Sequence, residues 1–377
     1  MEKHLSEMSL EELTCEEGIP CSCGKVHRCQ LRYFKAGQGA ISFLPEALKQ
    51  RGRSHPMVVM DVNTRKAAGE KVLRLLDACG IPHTDFVFPP TKDKMEPDEY
   101  AMGSLAMAMD PNCDVILAIG SGVINDCCKV MAHACNLTSM VVCTAPSMDG
   151  YCSNSASMIQ NHIKVSLYNA CPEAILADTD ILKTAPDIML QAGLGDMLAK
   201  YVSICEWRIS HIVYDDPYCE EIAGMVRSCL RNIVDHADGL MKREPEALKA
   251  VLEGLVISGI SMAFAEISRP ASGLEHYFSH IWEMKALQKG EPSDLHGIQV
   301  GVGTLLVLWI YEHMLNMETI DIAKAEYAMA HFSQAAWEKT MWDIFGPITP
   351  SILAIEEKVG KNRPETQQRH LQRIVEH

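Results

Sequence analysis

Asp114 to Asp126 reads DVILAIGSGVIND. Its first half is an unbroken apolar run, the mark of a strand buried on both faces. Gly120-Ser121-Gly122 interrupts that run, and a helical pattern follows. Glycines let the chain turn sharply and let its backbone come close to a ligand. The helix start beyond the turn offers free N–H groups and the positive end of a dipole, which suit a pyrophosphate. The turn lacks the full GxGxxG fingerprint, so a purely structural strand–turn–helix is the other reading of these residues.

Similar units lie on either side. Pro56 to Asp61 (PMVVMD) is a short apolar run, followed by a helical stretch from Thr64 to Cys79 and a second run from Asp85 to Phe88 (DFVF). A helical region from Asp98 to Met109 leads into the central strand. After a helix from about Asn125 to Asn136 comes Ser139 to Thr144 (SMVVCT). Short apolar runs separated by helices predict a parallel sheet with crossover helices. Asp61 ends the first strand, where an acid can bond the ribose hydroxyls of NAD and repel a 2′-phosphate, or can cap the next helix. From Pro186 to about Val359 the period is 3.6 and strand-like runs are rare. The expected organisation is a Cys-rich segment over 1–30, a Rossmann-like parallel-sheet α/β domain over 31–185 that binds a dinucleotide, and an all-α domain over 186–377.

Apolar residues make up 47% of the 377, enough for real cores, and the net charge is −15. That charge argues against nucleic acid or an anionic membrane as the main partner. No unbroken apolar run reaches the roughly 18 residues of a membrane span, and the polar N-terminus has no signal-peptide core. The expectation is a cytoplasmic protein acting on a small molecule, with no nucleic acid or membrane partner, as a homo-oligomer. The fifteen cysteines are an odd, scattered set, which reads as reduced thiols rather than a disulfide framework. Many of them, with many of the 22 methionines, sit in apolar stretches as core filler.

Three places in the helical half carry metal-binding chemistry. Gly193-Leu194-Gly195-Asp196 is expected to open a helix. His276 and His280 are spaced i, i+4 and share a helix face. His296 lies at an expected turn before another helix. One carboxylate and two imidazoles would make an open three-ligand site. The plainer alternatives are a helix cap for Asp196, a surface or core pair for the histidines, and a turn residue at His296. Near the N-terminus, Cys21, Cys23, His27 and Cys29, with Cys15 upstream, have the spacing CxC-x3-HxC. That spacing is tight for a zinc knuckle, so a flexible reduced segment is expected, with structural zinc as the alternative.

TAPSMDGYCSNSA (Thr144 to Ala156), GLGDMLAK (Gly193 to Lys200), SRPASGLEHYFSHIWE (Ser268 to Glu283) and LHGIQVGVGTLL (Leu295 to Leu306) resemble the sn-glycerol-1-phosphate dehydrogenases. These belong with glycerol dehydrogenases, iron-type alcohol dehydrogenases and dehydroquinate synthases. The resemblance implies a nucleotide-binding α/β domain followed by a helical metal domain. It also implies reduction of dihydroxyacetone phosphate to sn-glycerol 1-phosphate, and the reverse, with NAD or NADP and one divalent ion (Zn, Ni or Fe). Matched position by position, it assigns the metal to Asp196, His276 and His296. It places Asp61, Gly120, Gly122, Val123, Ile124, Asn125, Asp126, Thr144, Ala145, Pro146, Ser147 and Ser153 at the cofactor. Asp149, Asp196 and His280 become the catalytic, substrate-facing groups. Val123 stands where a hydroxyl is expected. Arg269 is the candidate for the substrate phosphate. The rivals are a glycerol dehydrogenase-like polyol dehydrogenase, a dehydroquinate synthase-like lyase and a binding protein without activity.

Overall fold

The computed structural model describes residues 3–90, 95–161 and 163–377. Its strands are β1 (Ile19–Pro20), β2 (Val26–His27), β3 (Tyr33–Gly37), β4 (Pro56–Asp61), β5 (Thr84–Phe88), β6 (Val115–Gly120), β7 (Thr138–Cys143), β8 (Ser155–Gln160), β9 (Ile163–Tyr168) and β10 (Ala174–Asp178). Six of them form a parallel sheet in the order β3-β10-β7-β6-β4-β5. Alternate residues along β4, β6 and β7 enter different cores. Val58, Met60, Leu117 and Val142 pack on one face, while Met57, Val59, Ile116 and Val141 pack on the other. Burial on both faces is why these strands read as continuous apolar runs. Chain order reverses between β4 and β6, and the carboxyl ends of these neighbours carry Asp61 and Gly120. Such a reversal opens the crevice in which ligands of doubly wound sheets bind.

The helices used below are α1 (Gly122–Ala134), α2 (Asp187–Leu198), α3 (Lys200–Tyr214), α4 (Glu220–Leu240), α5 (Pro245–Ala265), α6 (Leu274–Lys289) and α7 (His296–Leu315). After β10 the described chain is helical apart from its connections. The structure differs from the sequence reading in several places. The helix expected over Thr64 to Cys79 contains a π turn at Arg65–Gly69. Asp196 lies inside the last turn of α2 instead of opening a helix, so it is not an N-cap. His296 is the first residue of α7. The N-terminal segment expected to be flexible is packed, with Leu5, Leu10, Leu13, Ile19 and Leu31 buried in the main core. All fifteen cysteines are free thiols, and Cys127, Cys128, Cys143 and Cys152 are buried core residues.

By length and mean hydropathy, α5 and α7 could each cross a membrane. In α5, 72% of the apolar window is buried inside the protein, which makes it a core helix. In α7 only 28% is buried. That helix packs on α2 and leaves Leu305, Leu308, Trp309 and Leu315 exposed.

Candidate functional site

Close helix packing brings the three metal-candidate side chains together. A methyl group added at Gly195 would lie 2.4 Å from the carbonyl oxygen of Gly297, and one at Gly297 would lie 2.0 Å from that of Ala192. Only hydrogen at these positions lets the backbones of α2 and α7 touch. Asp196 on α2, His276 on α6 and His296 on α7 then offer ligand atoms within 4.8 Å of one another. The rings of His276 and His296 are 5.1 Å apart, and that of His280 is 6.2 Å from each. His280 thus lies beside the cluster, half exposed, and is not part of it.

Each candidate ligand is held by a partner. The fully buried Asp196 accepts from Lys200 Nζ on Oδ1 (2.8 Å) and from the Asp149 N–H on Oδ2 (2.9 Å). Each oxygen keeps a second lone pair for a cation. His276 Nδ1 bonds Glu275 Oε1 at 2.7 Å, which leaves Nε2 as the ligand atom. His296 Nδ1 lies 3.3 Å from Ser279 Oγ and 3.6 Å from Glu283 Oε1. Burial, reinforced by the Lys200 charge, holds the His276 imidazole well below its ordinary pKa, in the neutral form that metals bind. One carboxylate and two imidazoles, with open positions toward His280, fit a divalent cation.

The sheet reaches this cluster through the segment after β7. Thr144 N–H bonds Gly120 O (3.1 Å), and the Tyr151 hydroxyl donates to Ala145 O (2.6 Å), so the segment is pinned to the end of β6. The backbone of Pro146 lies directly under α2. Thr144, Ala145 and Ser147 are buried beside it. Asp149 then donates its N–H to Asp196, and its Oδ2 accepts from Lys200 Nζ (2.8 Å) and Ser258 Oγ (2.9 Å). On the crevice side, Gly120 packs against Ile124, and Gly122 and Val123 open α1. Asp61 Oδ1 accepts from Asn63 N and Thr64 N at 2.8 and 2.7 Å. The capping arrangement is therefore present at the switch point.

A model of iron-containing alcohol dehydrogenases matches residues 35–186. A glycerol-1-phosphate dehydrogenase (NAD(P)+) of Halalkalibacterium halodurans is 35% identical over 295 residues, covering 78% of this chain and 74% of the relative. The enzyme of the same name from Bacillus velezensis is 34% identical over 292 residues, covering 77% and 74%. The chain belongs to the glycerol-1-phosphate dehydrogenase family. Among solved structures, glycerol dehydrogenase from Schizosaccharomyces pombe superposes with a TM-score of 0.60 at 18% identity, covering 75% of this chain and 71% of that one. The two-domain fold of a parallel-sheet α/β part and a helical part is thus shared.

Within this family frame, several expected residues have partners of their own. The nearly buried Lys129 lies 3.1 Å from Asp126 Oδ1 and donates to Ser153 Oγ (3.2 Å) and Gly150 O (3.0 Å). Asp126 Oδ2 accepts from Ser157 N. Asn125 donates to Gly150 O, while its buried Oδ1 has no partner among the described residues. Arg269, expected at a substrate phosphate, pairs with Asp216 at 3.2 Å.

The sequence reading missed three side chains: Lys200, Glu275 and Glu283. Lys200 is wholly buried and donates to Asp196, Asp149 and Ala271 O, which uses all three of its N–H bonds. Burial alone would lower its pKa, but the two carboxylates outweigh that and raise it. Burial would raise Asp149, but the Lys200 charge and hydrogen bond outweigh that and hold it at about 2. Glu283 is buried too, yet the His280 and His296 hydrogen bonds and the Lys164 charge hold it far below the carboxylate range. Glu275 orients His276. The i, i+4 spacing of Asp196 and Lys200 and the i, i+3 spacing of His280 and Glu283 were available signals. Glu275 adjoins its partner in sequence, where no helical spacing rule points to a contact.

The glycine contact gives a direct test. Gly297→Ala must push α7 off the Ala192 carbonyl, at a cost of about 1–3 kcal/mol. It is expected to weaken metal binding at least tenfold. Gly103→Ala, where an added methyl meets nothing within 4 Å, is the control and should be neutral or stabilising. Urea unfolding and metal titration of both variants read this out. Unchanged stability and affinity in Gly297→Ala would show that the close approach is not needed.

Proposed function

We propose that this chain is a metal-dependent NAD(P)-linked dehydrogenase that reduces dihydroxyacetone phosphate to sn-glycerol 1-phosphate and catalyses the reverse oxidation. The observation that carries the reading is the convergence of Asp196, His276 and His296 next to Asp149, on the segment that leaves the sheet beside the switch point. The named activity of the relatives supports it.

When bound, a divalent cation supplies Lewis acidity toward the substrate carbonyl and NAD(P)H supplies the hydride. Asp196, His276 and His296 hold that cation, and Glu275, Glu283 and Ser279 keep the imidazoles turned toward it. Lys200 offsets one of the two negative charges of Asp149 and Asp196. His280 is half exposed and fixed at Nδ1 by Glu283 (3.4 Å). In this reading its Nε2 gives a proton to the product oxygen and takes it back in the oxidation. Residues 31–185 hold the dinucleotide across the carboxyl ends of β4 and β6, with Asp61 at the adenosine ribose favouring NAD. Residues 186–377 hold the metal. The set of ligands suits Zn, Ni or Fe. The protein works in the cytoplasm on a small molecule, without a nucleic acid or membrane partner. It does so as a homo-oligomer that covers the apolar face of α7.

The test is NADH oxidation by the metal-reconstituted protein with dihydroxyacetone phosphate and with dihydroxyacetone. The phosphorylated ketone is expected to win by about 100-fold in kcat/KM, on the order of 2.7 kcal/mol. Equal rates would favour the polyol dehydrogenase, and no net NADH consumption with either would favour the lyase.

A further inference from the structure

The N-terminal cysteines have a partner that lies far away in the sequence. β1 and β2 form a hairpin whose turn is closed by Cys21 N–H to Lys25 O (3.0 Å) and Gly24 N–H to Cys21 O (2.9 Å). Gly24 adopts φ +85°, in the left-handed region that the turn requires. Cys21 and Cys23 lie on the turn and His27 on the returning strand. Cys219, immediately before α4, meets them there. Cys21 Sγ is 3.6 Å from Cys219 Sγ, Cys23 Sγ is 3.5 Å from His27 Nε2, and Cys219 Sγ is 3.6 Å from His27 Nε2. All four candidate ligand atoms lie within 4.8 Å of one another.

We propose that Cys21, Cys23, His27 and Cys219 form a structural zinc site, separate from the active-site cluster, that fastens the N-terminal segment to the helical domain. A tetrahedral ion with Zn–S near 2.3 Å and Zn–N near 2.0 Å requires edges of about 3.8 Å between sulfurs and about 3.5 Å between sulfur and nitrogen. The observed contacts match those edges. Cys21 and Cys219 are too far apart for the bond of about 2.05 Å in a disulfide. His27 is buried and oriented for the role. Its Nδ1 bonds Phe264 O at 3.0 Å, and its ring stacks on Phe264 with centroids 5.3 Å apart, which directs Nε2 at the sulfurs. Cys23 is exposed and leaves a path for the ion to enter. Four protein ligands close the coordination sphere, as in structural and not catalytic zinc sites. The fourth ligand is not the expected Cys29, whose thiol is buried against Leu13 O and Leu31 O.

Cobalt separates this site from the active site, because of the two only the proposed site has thiolate ligands. The full-length protein, purified under reducing conditions and loaded with cobalt, is expected to show thiolate-to-cobalt charge transfer in the near ultraviolet. It should also show intense tetrahedral d–d bands in the visible. Cys219→Ser should weaken both and lower the zinc content by one ion per chain, while Cys205→Ser, at an exposed cysteine elsewhere, should change neither. If Cys219→Ser fails to fold, Cys23→Ser, at an exposed cysteine of the same cluster, should weaken both bands in its place. Cobalt-loaded wild type without thiolate charge transfer would overturn the proposal, as would a Cys21–Cys219 disulfide in the reduced preparation. Turnover plays no part in these readouts, so loss of the proposed activity would leave this test intact.

Discussion

His296→Ala is expected to release the active-site cation and to lower kcat/KM by at least about a thousand-fold, on the order of 4 kcal/mol. Asp196→Ala and His276→Ala should do the same. The three ligand atoms lie within 4.8 Å of one another, and losing one leaves only two protein ligands for the ion. His280→Ala is the informative contrast. Its ring stands 6.2 Å from those of His276 and His296, so the variant should keep its metal and lose about 10²–10⁴ in kcat, the range for a displaced proton donor. Metal content and steady-state rates measured on the same preparations separate the two behaviours. A His296→Ala protein with full metal content and full turnover would sink the ligand assignment. A His280→Ala protein that loses its metal would move His280 into the ligand set.

The legible parts of the fold were those that one local pattern specifies. Pro56–Asp61 is buried along nearly its whole length and forms the strand that its sequence predicts. Tyr33–Gly37 escaped because it is an edge strand, with Lys35 and Gly37 breaking the apolar run. The hairpin of Ser155–Gln160 and Ile163–Tyr168 escaped because its alternation is only partly apolar. Around the site, the candidate triplet was suggested by the resemblance alone, since Asp196, His276 and His296 come from three helices and no local spacing joins them. Lys200 offered only its i, i+4 spacing from Asp196. A lysine on a helix reads as a surface charge, and its partners Asp149 and Ala271 O come from segments far away in the sequence. Cys219 is 192 residues from His27, so no motif around Cys21 could include it. Sequence patterns report spacing along one element. Contacts between elements are set by which backbones pack closest, as at Gly195 and Gly297.

Lys200→Met should be the most destabilising change at the site in the metal-free protein. The ammonium is fully buried and lies 2.8 Å from both Asp149 and Asp196. Its removal leaves two carboxylates facing each other without a countercharge, a change that costs about 3–5 kcal/mol. The pH dependence should change sign as well. In the wild type Asp149 is held at about 2 against 3.8 when free, so its contribution to stability is present above 3.8 and is lost as pH falls toward 2. Without Lys200, burial outweighs the remaining Ser258 hydrogen bond and raises the Asp149 pKa above 3.8, so the variant should lose stability as pH rises through that point. A divalent ion at a concentration of 100 times its Kd returns about 2.7 kcal/mol, because it replaces part of the missing positive charge. Urea unfolding of both proteins, with and without metal and across pH, gives all three results. A metal-free variant as stable as the wild type at pH 7 would mean that the two carboxylates are balanced by something other than Lys200.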